Sequence, residues 1–519
     1  MPHDYDYIII GSGFGGSVSA YRLSQKGYKV LVIEKGKRFK AGDFPKTNWN
    51  LRKWLWLPSL RFHGIFKLTF LKHVGILSGV GVGGGSLVYA NTLPVPKQAF
   101  FESGSWAGLA DWQDELAPHY LEAKRMLGAS PNPYLGTADK ALQKVAAKNG
   151  LAKEFVASDV AIYFGKPDKE VADPYFNGQG PRRSGCTFCG ACMTGCRYNA
   201  KNTLDKNYLY LAERNGVKVL PEMLVTNVIP VNEDGADGYT IKTKSSLKIF
   251  KTKKTFTTKN VVFSGGVLGT VSLLLHLKKT TLPKLSNRLG EMVRTNNESL
   301  IGIVSPKLNN DMTDGIAIGS VLHTDENSHL EPVRYGKGSG FWKSMMLPLA
   351  TGSNVFVRLF KATLEFLLHP ITYFKVIFGN QFASRSSVLL FMQTLNSTLS
   401  LKKTIFGLNS VVKNGEKPAA FIPEALKFAK DYAKEVDGKP MVVLTETLMG
   451  IPTTAHILGG AVIGKNSEEG VINSQQQVFG YRNMMVCDGS AVSSNPGVNP
   501  SLTITAMTER AMALVGDKN

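Results

Sequence analysis

Residues 7–16 read Tyr-Ile-Ile-Ile-Gly-Ser-Gly-Phe-Gly-Gly, and Glu34 follows Gly16 by 18 residues. Tyr7–Ile10 is an apolar, β-branched run that predicts a strand. The glycines break it, Ser17–Lys26 predicts a helix, and Lys29–Ile33 predicts a second strand, which together make a β-α-β unit. Gly11 permits the tight turn, Gly13 lets backbone N–H groups approach a pyrophosphate, and Gly16 lets helix and strand pack closely. The helix N-terminus favours the anion, and Glu34 is placed to accept from a ribose hydroxyl. The stretch predicts an α/β chain with a Rossmann-like dinucleotide-binding domain.

Outward from this unit, Pro45–Phe101 contains no acidic residue, and Trp49–Leu77 is rich in Trp, Phe, Leu, Lys and Arg. A glycine-dense stretch, Gly79–Ser86, follows, and then helices are expected around Trp112 and Tyr120 within Ser105–Leu127. Val217–Val231, Tyr239–Lys244, Lys248–Thr257 and Val261–Phe263 predict consecutive strands, and Leu268–Leu277 a helix. Residues 300–455 differ in character, with long aromatic segments and a second basic bias, and predict a separate domain built from an antiparallel sheet plus helices. After His456 the chain returns to Gly-rich strand-like sequence and closes with a helix, Ser501–Leu514.

The 519 residues suffice for two to four domains, and 43% apolar with 19% charged residues exclude a disordered or collagen-like chain. The net charge of +21 favours anionic partners. Of five Cys, four lie between Cys186 and Cys196, unlike a secreted disulfide framework. The N-terminus enters a strand at once and no long charge-free apolar run occurs. These features predict a cytoplasmic protein without a spanning helix.

Five motifs in order carry a family resemblance. They are the N-terminal fingerprint; Gly79-Val-Gly-Val-Gly83-Gly84-Gly85-Ser86 running to Asn91; Ser264-Gly-Gly-Val-Leu-Gly269-Thr; Ala455-His456-Ile-Leu-Gly459-Gly460; and Asp488-Gly489 with Gly497-Val-Asn499-Pro500. Over nearly its whole length the chain resembles the glucose-methanol-choline (GMC) flavin oxidoreductases, in particular their cholesterol-oxidase-like branch. The resemblance implies FAD as cofactor, with Gly83, Gly84, Gly85, Ser86, Asn91, Asp488, Gly489 and Pro500 along its diphosphate and ribityl chain and Val225 at the adenine. It implies His456 and Asn499 as the catalytic pair for alcohol oxidation. Imidazole titrates near working pH and suits the base, while an amide orients the substrate oxygen without adding charge. Steroid oxidases of this family also use an acidic residue in the substrate domain. No motif places it here, and Glu298 and Glu446 are the guesses. Val80 and Tyr89 depart from the family pattern beside the flavin.

The implied domains are FAD-binding at 1–48, 73–105, 180–299 and 455–519, substrate-binding at 106–179 and 300–454, and a basic apolar arm at 49–72. The expected substrate is a lipophilic alcohol, sterol or long-chain, with O2 or an electron carrier as acceptor. A flavin and iron-sulfur electron-transfer protein, or a lyase or decarboxylase on the same fold, are the alternatives.

Two features lie outside the resemblance. Cys186, Cys189, Cys192 and Cys196 have the spacing of a ferredoxin loop, which points to a [4Fe-4S] or [3Fe-4S] cluster, with zinc or structural thiols as the other readings. Arg197 stands where Pro is usual, and Cys487 is too distant in sequence to join the set. The arm, and a stretch from Pro332 to Gly415 with ten basic residues and one acid, Glu365, suit peripheral attachment to an anionic membrane surface at its inner face. Trp54, Trp56, Phe62 and Phe66 are the expected contacts. Internal helices with solvated lysines are the competing reading, and no nucleic-acid module accompanies the charge.

Overall fold

The computed structural model describes residues 3–308, 311–395, 397–405, 407–413 and 418–518. The last two residues of the Pro332–Gly415 stretch, and 396 and 406 within it, lie outside these.

The first sheet is built on the N-terminal unit. Tyr5–Ile10 pairs in parallel with Val30–Ile33 on one side, Ile8 opposite Leu31, and with Lys253–Phe263 on the other, Ile8 opposite Val261. Each of these central residues is fully buried, as a parallel strand covered on both faces requires, and each contributes about 1.5–3 kcal/mol by leaving water. Phe14–Gln25 forms the intervening helix. Lys218–Leu220 extends the sheet beyond Val30–Ile33, and Met484–Val486 adds a further parallel strand against Val261–Phe263.

Met223–Pro230, Tyr239–Ser245 and Lys253–Phe263 form an antiparallel meander. The two strands expected at 248–257 and 261–263 are one. Asn260, a turn-type residue, does not break the strand; its Nδ2 donates to the Asp6 carbonyl at 3.0 Å. The strand therefore runs from an antiparallel start beside 239–244 into a parallel finish beside 5–10. Likewise 105–127 yields one long helix, Trp112–Leu127, capped by the Asp111 side chain and closed by Gly128 at φ +62°.

The second sheet is antiparallel, in the order 346–348, 439–443, 299–304, 386–393, 328–333, 320–323, 155–157. Thr137–Lys148 and Pro423–Glu435 share an apolar core with it, through Leu142, Phe428 and Tyr432 against Ile301, Leu389 and Phe391.

A third, three-stranded sheet joins Phe66–Phe70, Gly75–Gly79 and Thr453–Thr454. It ties the arm to the segment that carries His456. Here the expected membrane contacts need correction: Trp54 and Phe66 are buried, with Trp54 stacked on Phe66 at 4.7 Å and edge-on to Phe341 at 5.0 Å. Leu51, Trp54, Leu55, Ile65 and Phe66 build a core with 341–346, while Trp56 and Phe62 stay half-buried. Among the described residues no helix is long and apolar enough to cross a membrane.

Candidate active site

The two sheets enclose a cavity of about 420 Å³. At one end the helix Phe14–Gln25 presents its N-terminus without a side-chain cap, so its first N–H groups are available to an anion. Gly11 sits at φ +107° with no room for a side chain, since a Cβ would lie 2.3 Å from the Ser264 carbonyl oxygen. A Cβ on Gly13 meets nothing nearer than 3.9 Å and projects into open space, whereas one on Gly16 would lie 2.1 Å from the Gly11 carbonyl oxygen. One glycine keeps room for a ligand and the other keeps helix against strand. Gly84, at φ +53°, brings the second glycine loop onto the first, 2.7 Å separating its would-be Cβ from Gly13 Cα.

Gly11, Gly13, Glu34, Gly84, Gly85, Asn91, Val225, Asp488, Gly489 and Pro500 all line this cavity. Gly16, Gly83 and Ser86 stand outside the lining, which corrects the direct contact expected of Gly83 and Ser86. The Ser86 hydroxyl instead donates to the Gly83 carbonyl at 2.7 Å and accepts from Leu204 N at 3.1 Å, so it shapes the loop. Sequence reading missed Ser12. Its N–H and hydroxyl both donate to Glu34 Oε2, at 3.1 and 2.8 Å, while Gly36 N donates to Oε1 at 2.8 Å. Val225 lies at a β-bulge in its strand, where the register shifts before Asn227. Asp488 accepts from Ser490 N, Ser490 Oγ, Thr270 Oγ1 and Gly266 N. Burial holds its carboxyl above the ordinary range in spite of these donors. Both amide atoms of the buried Asn91 lack a hydrogen-bond partner among the described residues. An uncapped helix end, a glycine cradle and an unpartnered amide around one cavity fit a dinucleotide cofactor.

At the other end lies a second polar set. His456 Nδ1 is 2.7 Å from Glu298 Oε1, and the carboxylate also accepts from Thr454 Oγ1 at 2.8 Å and Ala455 N at 2.9 Å. With a carboxylate beside it, Nδ1 carries the proton and Nε2 keeps its lone pair. The ring is 13% exposed and lines the cavity. Burial pulls its pKa down, but Glu298, with help from Glu331, outweighs burial and leaves the pKa above the ordinary value. Asn499 lines the same cavity, its Nδ2 donating to Glu331 Oε2 at 3.3 Å and its Oδ1 buried without a partner among the described residues. Glu331 escaped the sequence reading because nothing around it resembles a motif. Only strand pairing delivers it, in the fully buried strand Ser328–Val333.

Family models described as GMC oxidoreductase match residues 180–277 and 391–508, and an NAD(P)-binding Rossmann-like domain matches 9–42. The chain is 45% identical over 529 residues to a cholesterol oxidase of Acinetobacter baumannii, covering all of this chain and 95% of that protein. It is 42% identical to a cholesterol oxidase of Mycobacterium tuberculosis, covering all of this chain and 92% of that one. The chain belongs to the GMC oxidoreductase family. It is an FAD-dependent alcohol oxidoreductase with the Rossmann-like α/β fold expected. A crystal structure of pyridoxine 4-oxidase from Mesorbium loti shares this fold, with a TM-score of 0.63 at 14% identity and 98% of each chain covered.

In this GMC oxidoreductase the wall beyond His456 is apolar, made by Leu300, Ile318, Val333, Trp342, Val388 and Leu390 of the second sheet and its loops. Of the two acids guessed from sequence, Glu298 stands behind His456. Glu446 is buried outside the lining, and burial pushes its pKa well up. The four clustered cysteines surround a separate small cavity. They are free thiols, so no disulfide forms. Among the described residues no group of three or more His, Cys, Asp or Glu is arranged to hold a metal ion. Cys487 lies apart, at the flavin end, where its carbonyl accepts from Ser264 Oγ at 2.7 Å.

Proposed function

We propose that this oxidoreductase oxidises a lipophilic alcohol, a sterol first and a long-chain alcohol second, to the carbonyl, with His456 as the base. The observation that carries this reading is that His456, held from behind by Glu298, and Asn499 line the same cavity as the two glycine loops. Bound FAD supplies the hydride acceptor. His456 Nε2 takes the hydroxyl proton, Glu298 holds the ring in the tautomer that leaves this nitrogen basic, and its charge stabilises the imidazolium. Glu331 accepts one N–H of the Asn499 amide and fixes its orientation, leaving the second N–H of Nδ2 to donate to the substrate oxygen. The apolar wall favours a substrate with a large hydrocarbon body, and the two similar cholesterol oxidases support a sterol. The His-Asn pair is also what favours alcohol chemistry over a pure electron carrier, lyase or decarboxylase. FAD holds Gly11, Gly13, Glu34, Gly84, Gly85, Asn91, Val225, Asp488, Gly489 and Pro500 as its contacts, and O2 or an electron carrier takes the electrons.

The substrate is taken from an anionic membrane surface. Val355–Leu368 and Pro370–Phe378 turn their apolar stripe outward: Phe356 is 79%, Leu367 68% and Ile371 71% exposed, while Arg358 and Tyr373 face inward. Met346 lines the cavity and packs with Phe366 and Tyr373 of these helices, which sets the stripe beside the apolar end.

Anaerobic mixing tests the reaction. Cholesterol in detergent should bleach the flavin band within seconds and long-chain alcohols more slowly, with ethanol and sugars inert. Bleaching by small polar alcohols alone would overturn the lipophilic reading, and no bleaching by any alcohol would overturn the reaction.

A further inference from the structure

The GMC reading leaves the cysteine cavity without a task. Cys186, Cys189, Cys192 and Cys196 all line it, and Ile162, Ala200 and Ile316 close it with apolar side chains. The loop is wound tightly around this space. Phe188 takes a left-handed φ of +54°, as do Gly190 at +65° and Gly195 at +90°, and Phe188 N donates to Cys186 Sγ at 3.4 Å. The loop is pinned from outside by Gly190 N to the Gly315 carbonyl at 2.8 Å and Gly315 N to the Phe188 carbonyl at 3.0 Å.

The lining also carries a buried cationic side chain. Lys201 lines the cavity and is 1% exposed. Its Nζ donates to the carbonyls of Cys192, Leu87 and Tyr89 at 2.8, 3.1 and 2.9 Å, which takes its three N–H donors. Among the described residues no carboxylate stands within ion-pair distance, so its charge would favour an anionic occupant without a direct hydrogen bond. Arg197, at the Pro position of a ferredoxin loop, lines the same space and adds a second cation.

We infer that this cavity is a binding site for an iron-sulfur cluster, [4Fe-4S] or [3Fe-4S], held by Cys186, Cys189, Cys192 and Cys196. The spacing is that of thiolate ligands to such a cluster. Each thiolate in a cluster binds a different iron, so the sulfurs surround a space and need not converge on a point. All four cysteines line the one cavity, as such a set of ligands requires. The cluster dianion meets Lys201 and Arg197. Cys192 lines this cavity and the next residue, Met193, lines the large one, so a one-electron centre stands one residue from the wall of the flavin cavity.

The test uses the full chain, made with ample iron and sulfide and purified without oxygen, with FAD content as the measure of folding. Wild type should hold about three to four iron and about four acid-labile sulfide per FAD and give an electron paramagnetic resonance signal in its oxidised or dithionite-reduced state. Cys192→Ser, and separately the more exposed Cys189→Ser, should lose the signal and most of the iron while keeping FAD. Wild type carrying FAD but no iron after reconstitution with ferrous iron and sulfide would overturn the site. So would zinc in place of iron, or both variants retaining iron and signal. None of these outcomes depends on which alcohol is oxidised.

Discussion

Glu298 places a carboxylate oxygen 2.7 Å from His456 Nδ1 across 158 residues of sequence, and two further donors from the His456 segment hold that carboxylate in place. The contact sets both the tautomer and the basicity of the ring.

Glu298→Gln should lower the turnover number about 10–100-fold, the usual cost of losing the partner that orients a histidine. It should also move the pH profile. The base works unprotonated, so activity falls as pH drops through the His456 pKa, which Glu298 and Glu331 hold above its ordinary value. Removing one negative charge lowers that pKa, and the acidic limb must shift to lower pH. A limb that stays in place, or moves up, shows that the titrating group is another.

His456→Ala should slow anaerobic flavin reduction by alcohol by about two to four orders of magnitude, the contribution of a positioned base, with FAD still bound. Asn499→Ala should lose less, because the amide orients the hydroxyl and takes no proton. Stopped-flow reduction rates at saturating substrate measure both, and equal losses would show that Asn499 does more than orient.

Gly13 and Gly16 should fail in different ways. Gly13→Val places methyl groups in the open space before the helix N-terminus, so the protein should fold and elute without FAD. Gly16→Val drives its Cβ into the Gly11 carbonyl oxygen and should cost at least the ~1–3 kcal/mol of an overpacked core. Thermal unfolding and flavin absorbance, read together, separate the two effects. A yellow, fully loaded Gly13→Val protein would sink the dinucleotide assignment.

Replacing Phe356, Phe360, Leu367 and Phe374 with Ser should abolish co-sedimentation with anionic liposomes without loss of FAD, because these side chains are exposed already. Wild-type binding should rise with anionic lipid and weaken with salt. Trp54→Ser and Phe66→Ser should instead destabilise the chain by about 3–5 kcal/mol, the cost of emptying a buried aromatic site. A wild type that stays in the supernatant at low salt ends the membrane reading.

What the sequence determined by itself was local chemistry at short spacing. The strand, glycine turn, helix and acid from Tyr7 to Glu34 state a dinucleotide site because a tight turn and a backbone that must approach phosphate tolerate only glycine. The motifs around Gly84, His456 and Asp488 belong to the same class of signal, as does the cysteine spacing. Partners brought in by strand pairing left no trace in sequence. Glu298 reaches His456 from the residue just before the strand Ser299–Val304, Glu331 reaches Asn499 from within the strand Ser328–Val333, and Glu446, which looked equivalent, is buried outside the lining. Composition could not say which face of an apolar segment is wet. Trp54 and Phe66 found aromatic neighbours at 341–342 and became core, while Phe356 and Ile371 found none and remained outside. Whether an aromatic residue is core or contact depends on what folds against it, and tertiary packing alone decides that.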